Sequence, residues 1–212
     1  MNATDLAALG AGFSNGAVGS QAVFRAALNA LAHPARVTPV SHDAQVPNVG
    51  NAASAALLLA LVDADCRVWL SPSLAASDAP AWLRFHTGCT MVDAPAKAHF
   101  AWVCADDSLP ALNSFALGSH EYPDQSTTCI VDVTGFDVDA DMPANWCCVG
   151  PGIQTKQVIH VDGIAENFVA QWQANTALFP RGVDVYVASA DALLGLPRST
   201  HIQVLTPSTT ER

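Results

Sequence analysis

Two arginines and two histidines stand out as side chains that could bind an anion. Arg84 and His86 are two residues apart, and Arg198 and His201 are three apart. The planar guanidinium of arginine can donate to two oxygens of a phosphate or phosphonate at once. The chain has nine Lys and Arg against nineteen Asp and Glu, so these groups would have to be focused in one cleft. We take them as candidates for binding a substrate or a partner.

A structural role would explain the same residues. Arg84 could cap its own helix, with Asp93 near it, and Arg181, in the first of two Pro-Arg pairs, could pair with Asp184. His86 stands at a predicted helix end, where a capping or uncharged histidine is common. The sequence leaves open whether these groups touch a substrate, a partner subunit or a second copy of the chain.

No complete catalytic set accompanies these side chains. The sequence contains no GxxxxGK[ST] loop, HExxH motif or GxSxG elbow, and Gly150-Pro151-Gly152 lacks the third glycine of a dinucleotide fingerprint. The two lysines, Lys97 and Lys156, lie in polar contexts that do not favour a Schiff base. The catalytic residues therefore stay unknown, and no metal site is predicted.

The stretch from Phe179 to Val204 must position Arg181, Arg198 and His201. Val183, Val185 and Val187 alternate with Asp184, Tyr186 and Ala188, which is the period of a strand. This places both Pro-Arg pairs close to strand ends, where open α/β sheets usually hold their ligands.

Helices and strands are mixed in the rest of the chain, without internal repeats. Phe24, Leu28 and Leu31 fall at i, i+4 and i+7 of a helix that Ser20 could cap and Pro34 ends. A buried helix is expected over 51–63 and another helix after Asp78. Strands are expected over 36–40, 66–70, 99–104, 127–133, 145–149 and 157–161, and a helix over 164–177. This order predicts one α/β domain with a mixed sheet.

Composition excludes several classes of protein. A net charge of −10 without a basic run argues against nucleic-acid binding. The longest aliphatic run, 55–62, is too short for a membrane helix, and the N-terminus lacks the basic region of a secretory signal. We therefore expect a cytoplasmic protein without a membrane partner. Six scattered cysteines without CxxC spacing are expected to be mostly buried and free.

Several blocks in one order resemble a known family, PhnH, a subunit of the bacterial carbon–phosphorus lyase system. The resemblance covers about residues 20–205. Its blocks are Phe24-Arg25 with Leu28 and Pro34, the run 57–70, residues 83–87, Gly152-Ile153, residues 179–184 and residues 196–201. Arg181 departs from the family pattern, which counts against it as a functional residue.

The resemblance implies a three-layer α/β/α sandwich with a mixed sheet, similar to the PLP-dependent transferase fold but without PLP. It also implies a homodimer that works beside PhnG, PhnI and PhnL. Together these form the alpha-D-ribose 1-methylphosphonate 5-triphosphate synthase, which displaces adenine from ATP with an alkylphosphonate. A separate radical subunit later breaks the carbon–phosphorus bond.

Two other functions remain open: a stand-alone cofactor-free enzyme, or a scaffold, that binds an anionic substrate through Arg84, Arg198 or His201. We expect residues 1–19 to be a loosely ordered arm, residues 20–206 the PhnH-like domain and residues 207–212 a tail. Arg198→Ala is expected to impair complex assembly or adenine release more than folding.

Overall fold

A seven-stranded mixed sheet forms the centre of the protein. The computed structural model describes residues 9–137 and 144–205. The strands of this sheet are β1 (Val37–Pro39), β2 (Arg67–Leu70), β3 (Thr90–Met91), β4 (Phe100–Val103), β5 (Thr128–Asp132), β9 (Asp184–Ala188) and β10 (Ala192–Leu196). Their order is β1-β10-β9-β5-β4-β2-β3. The pairs from β9 to β3 are parallel, whereas β10 runs antiparallel to both β9 and β1.

A second, antiparallel sheet has four strands in the order β11-β7-β8-β6. They are β6 (Gly135–Asp137), β7 (Trp146–Val149), β8 (Gln157–Asp162) and β11 (His201–Val204). The chain passes from the first sheet to the second twice, between β5 and β6 and again between β10 and β11. Pairing of His201 with Val149 sets the register of β11 on β7.

Within the described residues, five α-helices accompany the sheets: α1 (Gly16–Ala32), α2 (Ala52–Leu61), α3 (Pro72–Ala75), α4 (Ala79–Thr87) and α5 (Phe168–Thr176). Helices α1 to α4 pack on one face of the large sheet, in one hydrophobic cluster. The other face is covered by α5 together with the second sheet. The predicted mixed α/β fold is confirmed, but its third layer is one helix and a sheet, not helices alone.

Strand β9 shows why the centre of the sheet is apolar on both sides. Tyr186 and Ala188 belong to the cluster under the helices, and Val185 and Val187 belong to the cluster on the opposite face. Alternate side chains of a strand point to opposite faces, so a strand covered on both faces is apolar throughout. The predicted strand over 183–188 is therefore confirmed.

Helix α1 begins earlier than the sequence suggests. Asn15 is its N-cap, and the Asn15 side chain accepts a hydrogen bond from the Val18 backbone N–H. The prediction that Ser20 caps this helix is wrong, because Ser20 lies inside its second turn. An Ala- and Gly-rich segment conceals the true start, since it carries little apolar periodicity.

The face that α1 turns to the sheet is made of small residues. Ala27 and Ala30 are buried, whereas Phe24 and Leu28 remain 49% and 57% exposed. A Cβ atom at Gly195, on β10, would lie 2.4 Å from the carbonyl oxygen of Ala30. Helix and strand thus meet backbone to backbone, which forces the large apolar side chains of α1 outward.

Most other expected elements are present within a few residues of their predicted bounds. Strand β1 is an edge strand, as Pro39 indicates. Helix α2 follows Asn51, and α4 ends at Gly88, which adopts the left-handed φ of 75° that favours glycine. All six cysteines are free, and Cys89, Cys104, Cys129 and Cys148 are buried.

Residues 9–19 are hydrogen-bonded to the body of the protein. The Ala11 N–H donates to Gln45 Oε1 at 3.0 Å, and the Ser14 hydroxyl donates to Asp43. Residues 1–8 and 206–212 lie outside the described residues. The division into an arm, a domain and a tail stays a prediction.

Candidate functional site

Arg181 and Arg198 lie at the edge where the parallel strands begin. Arg181 precedes β9, and Arg198 follows β10, which runs antiparallel to β9. Both Pro-Arg pairs are therefore near strand ends, as predicted. The edge, however, is the amino-terminal one, whereas open α/β sheets usually bind ligands at the carboxyl ends of their strands.

The guanidinium of Arg198 is fully engaged by its neighbours. Its Nη2 forms an ion pair with Asp184 at 2.5 Å and also donates to Ser126 Oγ at 2.7 Å. Nε donates to Asp184 at 3.1 Å, and Nη1 donates to the carbonyl oxygens of Pro123 and Pro180. These bonds use all five N–H donors of an arginine. The side chain, 12% exposed, thus links three segments and has no donor left for a ligand.

Asp184 pairs with Arg198 and not with Arg181, the partner that the sequence suggested. The pairing of Arg181 with Asp184 is wrong, because Arg198 occupies both oxygens of that carboxylate. The Nε atom of Arg181 is buried without a hydrogen-bond partner among the described residues.

Arg84 and His86 lie in the last turn of α4 and face different surroundings. Arg84 donates from Nε to the Pro80 carbonyl of its own helix at 3.2 Å. It also lines a cleft of about 430 Å³ beside β2 and β3, together with Asp93. The ring of His86 packs against Trp82, with centroids 5.0 Å apart. Burial lowers the pKa of His86 below its ordinary value, against the opposing effect of nearby backbone groups.

His201 belongs to a third region. It is exposed on β11, the edge strand of the second sheet. The four candidates therefore lie at three places in the fold: the end of α4, the amino-terminal edge of the large sheet, and the edge of the second sheet. None of the clefts described here is lined by two of them.

The sequence reasoning missed a cleft at the amino-terminal edge of the parallel strands. It has a volume of about 570 Å³, and its walls include Arg67, Lys97 and His99 on one side and the segment 124–126 on the other. Arg67 and His99 come from separate parts of the sequence and are neighbours because β2 pairs in parallel with β4. Only the register of that pairing could have signalled the cluster.

Local hydrogen bonds order the basic wall of this cleft. Arg67 Nε donates to the Lys97 carbonyl at 2.7 Å, and the Arg67 backbone N–H donates to His99 Nδ1 at 3.4 Å. The His99 ring therefore carries its N–H on Nε2 when neutral. Burial, reinforced by the charge of Arg67, lowers the pKa of His99, while Asp63 acts in the opposite direction.

The carboxyl-terminal edge of the same strands is acidic instead. Asp132, at the end of β5, accepts hydrogen bonds from Ser54 Oγ at 2.5 Å, the Asn51 backbone N–H at 2.9 Å and Trp102 Nε1 at 3.0 Å. Burial raises the pKa of Asp132 to about 6. Its carboxylate holds the first turn of α2 on the sheet. A small cleft of about 230 Å³ beside it is also lined by Asp107, which does not suit an anion.

Within the ranges 9–137 and 144–205, no three His, Cys, Asp or Glu side chains are grouped so that they could hold a metal ion. In the same ranges no helix is both long and apolar enough to cross a membrane.

Comparison with known proteins defines the class. The family described as "Bacterial phosphonate metabolism protein (PhnH)" matches residues 11–203. The chain belongs to this family. A relative from Rhizobium meliloti (strain 1021) is 38% identical over 184 residues, which are 87% of this chain and 90% of the relative. That relative is named "Alpha-D-ribose 1-methylphosphonate 5-triphosphate synthase subunit PhnH".

A second relative comes from Stutzerimonas stutzeri and is named as a proposed C-P lyase subunit, HtxG. It is 32% identical over 184 residues, which are 87% of this chain and 86% of that protein. Each of the two matches covers 87% of the chain. The resemblance found in the sequence blocks is confirmed at the level of the family.

Proposed function

We propose that the chain is a subunit of the alpha-D-ribose 1-methylphosphonate 5-triphosphate synthase and serves in phosphonate catabolism. The observation that carries this proposal is the 38% identity, over 87% of the chain, to the relative that bears that name. In the reaction, an alkylphosphonate oxygen attacks the ribose carbon C1′ of ATP, and the bond to adenine breaks. PhnG, PhnI and PhnL are the proposed partner subunits.

The placement of the candidate residues supports a role within a complex. Arg84, Arg198 and His201 lie apart, and the donors of Arg198 are used inside the fold. A stand-alone enzyme acting through these three groups would need them in one cleft. This separation favours the subunit over the stand-alone enzyme or scaffold that the sequence left open.

We further propose that the chain works without pyridoxal phosphate, on a fold related to the PLP-dependent transferases. A Schiff-base lysine needs a desolvated site that lowers the pKa of its amine. Lys97 and Lys156 are both exposed, and Lys97 is at the amino-terminal edge of the parallel strands. Neither lysine suits that chemistry.

A second copy of the chain is the proposed first partner, and the outer face of α1 is its proposed contact. Ala17, Phe24 and Leu28 lie along one side of this helix and are exposed. The helix contains no acidic residue, although the chain as a whole carries a net charge of −10. Two copies can therefore meet here without opposing carboxylates, while apolar area is removed from water.

Adenine release tests the proposed function. The purified chain is incubated with ATP and methylphosphonate, first alone and then with PhnG, PhnI and PhnL, and free adenine is measured by chromatography. We expect adenine in the complete mixture, and little when this chain is omitted. Adenine produced by the chain alone would contradict the subunit role. Equal release with and without the chain would contradict any role in the synthase.

A further inference from the structure

The cleft at the amino-terminal edge of the large sheet concentrates positive charge in an acidic protein. Arg67 and Lys97 lie on its walls, and Asp124 is the acidic residue among its lining. In the part of the chain that the structure describes, the one ion pair is Arg198 with Asp184. Arg67 and Lys97 are therefore not neutralised by a paired carboxylate. A cation that is left unpaired on the wall of a cavity attracts an anion.

Unused hydrogen-bond donors point to the same conclusion. Arg67 uses Nε on a carbonyl, and among residues 9–137 and 144–205 its Nη1 and Nη2 atoms have no partner. Ser126 Oγ accepts a hydrogen bond from Arg198, which leaves its own proton available to donate. His99 can donate from Nε2 because its Nδ1 accepts from the backbone. The cleft thus offers guanidinium, ammonium, hydroxyl and imidazole donors.

Arg198 supports this cleft from behind. Its bonds to the Pro123 carbonyl and to Ser126 Oγ hold both ends of the segment that contributes Asp124, Gln125 and Ser126 to the wall. The opposite wall is fixed by the Arg67 bond to the Lys97 carbonyl. Both walls are therefore ordered without a ligand, which reduces the entropy lost when one binds.

We propose that this cleft binds a small molecule through a phosphoryl or phosphonyl oxyanion, with Arg67 and Lys97 as its cationic ligands. Arg67 supplies a pair of parallel N–H donors, and Lys97 supplies a mobile charge. The volume of about 570 Å³ is within the range of small-molecule sites and exceeds the needs of a lone phosphate. A phosphonate and the triphosphate of a nucleotide share this chemistry. The inference goes beyond the proposed function and does not depend on it.

Nuclear magnetic resonance of the histidine ring protons tests the proposal on the purified chain. Inorganic phosphate, methylphosphonate, ATP and uncharged adenosine are titrated separately at constant ionic strength, and His99→Gln identifies the His99 signal. We expect at least one of the three anions to raise the pKa of His99, by about one unit, because a nearby negative charge favours the imidazolium. Adenosine should leave that pKa unchanged.

Variants then assign the binding to this cleft. Arg67→Gln and Lys97→Ala should each weaken anion binding by roughly tenfold to a hundredfold. Lys156→Ala, which removes the only other lysine from an exposed position outside the cleft, should leave it unchanged. Arg67→Lys should recover part of the loss. Thermal unfolding of each variant checks that the fold is retained.

Comparison of the three anions also shows which kind of molecule supplies the oxyanion. Binding of methylphosphonate but not of ATP would indicate a phosphonate site. Binding of ATP but not of methylphosphonate would indicate a nucleotide site. Either result supports the proposal. No change at His99 with any anion, or equal losses in Lys97→Ala and Lys156→Ala, would overturn it. The proposal would also be overturned if Arg67→Gln weakened the binding of partner subunits but left anion binding unchanged. None of these outcomes affects the adenine assay with the wild-type chain, so the two proposals can fail separately.

Discussion

Arg198 changes from a candidate ligand-binding group to a residue that joins segments. It contacts Asp184 at the start of β9, and Pro123 and Ser126 in the loop before β5. The sequence singled out Arg198 as a candidate for binding a substrate or a partner. It could not show that an aspartate from the preceding strand and two distant loop residues occupy its donors. Its pairing depends on the antiparallel register of β10 on β9.

Arg198→Ala should therefore lower the free energy of unfolding by about 2–4 kcal/mol, because Asp184 loses its charged partner in a largely buried position. Arg198→Lys should recover little, since an ammonium cannot make the same set of planar contacts. Urea unfolding provides the measurement. A double variant with Asp184→Ala should cost less than the sum of the single changes. Unaltered stability together with reduced adenine release in the complex would instead support the expectation from the sequence, in which Arg198 acts in complex assembly or adenine release more than in folding.

Asp132 should make stability depend on pH. Its pKa is raised from 3.8 to about 6 in the folded state, so between these values the folded chain binds a proton that the unfolded chain releases. The stability that Asp132 contributes is therefore present at low pH and is lost as pH rises through the pKa of the folded state.

We expect the free energy of unfolding of the wild type, relative to Asp132→Asn, to fall by up to about 3 kcal/mol between roughly pH 4 and pH 7. Denaturant unfolding of both proteins across this range gives the difference directly. A difference that stays constant with pH would show that Asp132 does not titrate differently in the two states.

At the scale of elements, helix α1 lies close against strand β10, with Gly195 facing the backbone of Ala30. Gly195→Ala should lower the free energy of unfolding by about 1–3 kcal/mol, because the new methyl would lie against the Ala30 carbonyl and push the helix away. Gly16→Ala is a matched control, since nothing lies within 4 Å of its Cβ position. That change should be neutral or slightly stabilising. Equal effects of the two substitutions would contradict the tight contact at Gly195.

Helices and strands of the large sheet could be predicted because their signals are local. Alternation identified β9, apolar character all round identified α2, and Gly88 marked the end of α4. The second sheet was not recognised as separate, because its formation depends on β11 pairing with β7 across a long stretch of sequence. The basic cleft was missed for a related reason: Arg67 and His99 become neighbours only through the register of parallel strands.

At the scale of the whole molecule, the outer face of α1 is the surface to test for self-association. Phe24→Asp should shift the protein from dimer towards monomer, as measured by light scattering with size-exclusion chromatography, because it places charge in an apolar contact. Ala22→Asp introduces the same charge at an exposed position on another side of the helix and should keep the dimer. Thermal unfolding should be similar for both variants. Monomers at all concentrations of the wild type would exclude this pairing.

The order of strands in the large sheet also constrains how the protein is made. Strand β9 lies between β5 and β10, near the middle of the sheet, yet it is encoded after all of the second sheet except β11. While the ribosome is still adding residues before Asp184, β5 has an open edge and α1 has no β10 to cover. We therefore expect the nascent chain to keep apolar surface exposed until β9 and β10 have emerged, and to depend on chaperones during that interval.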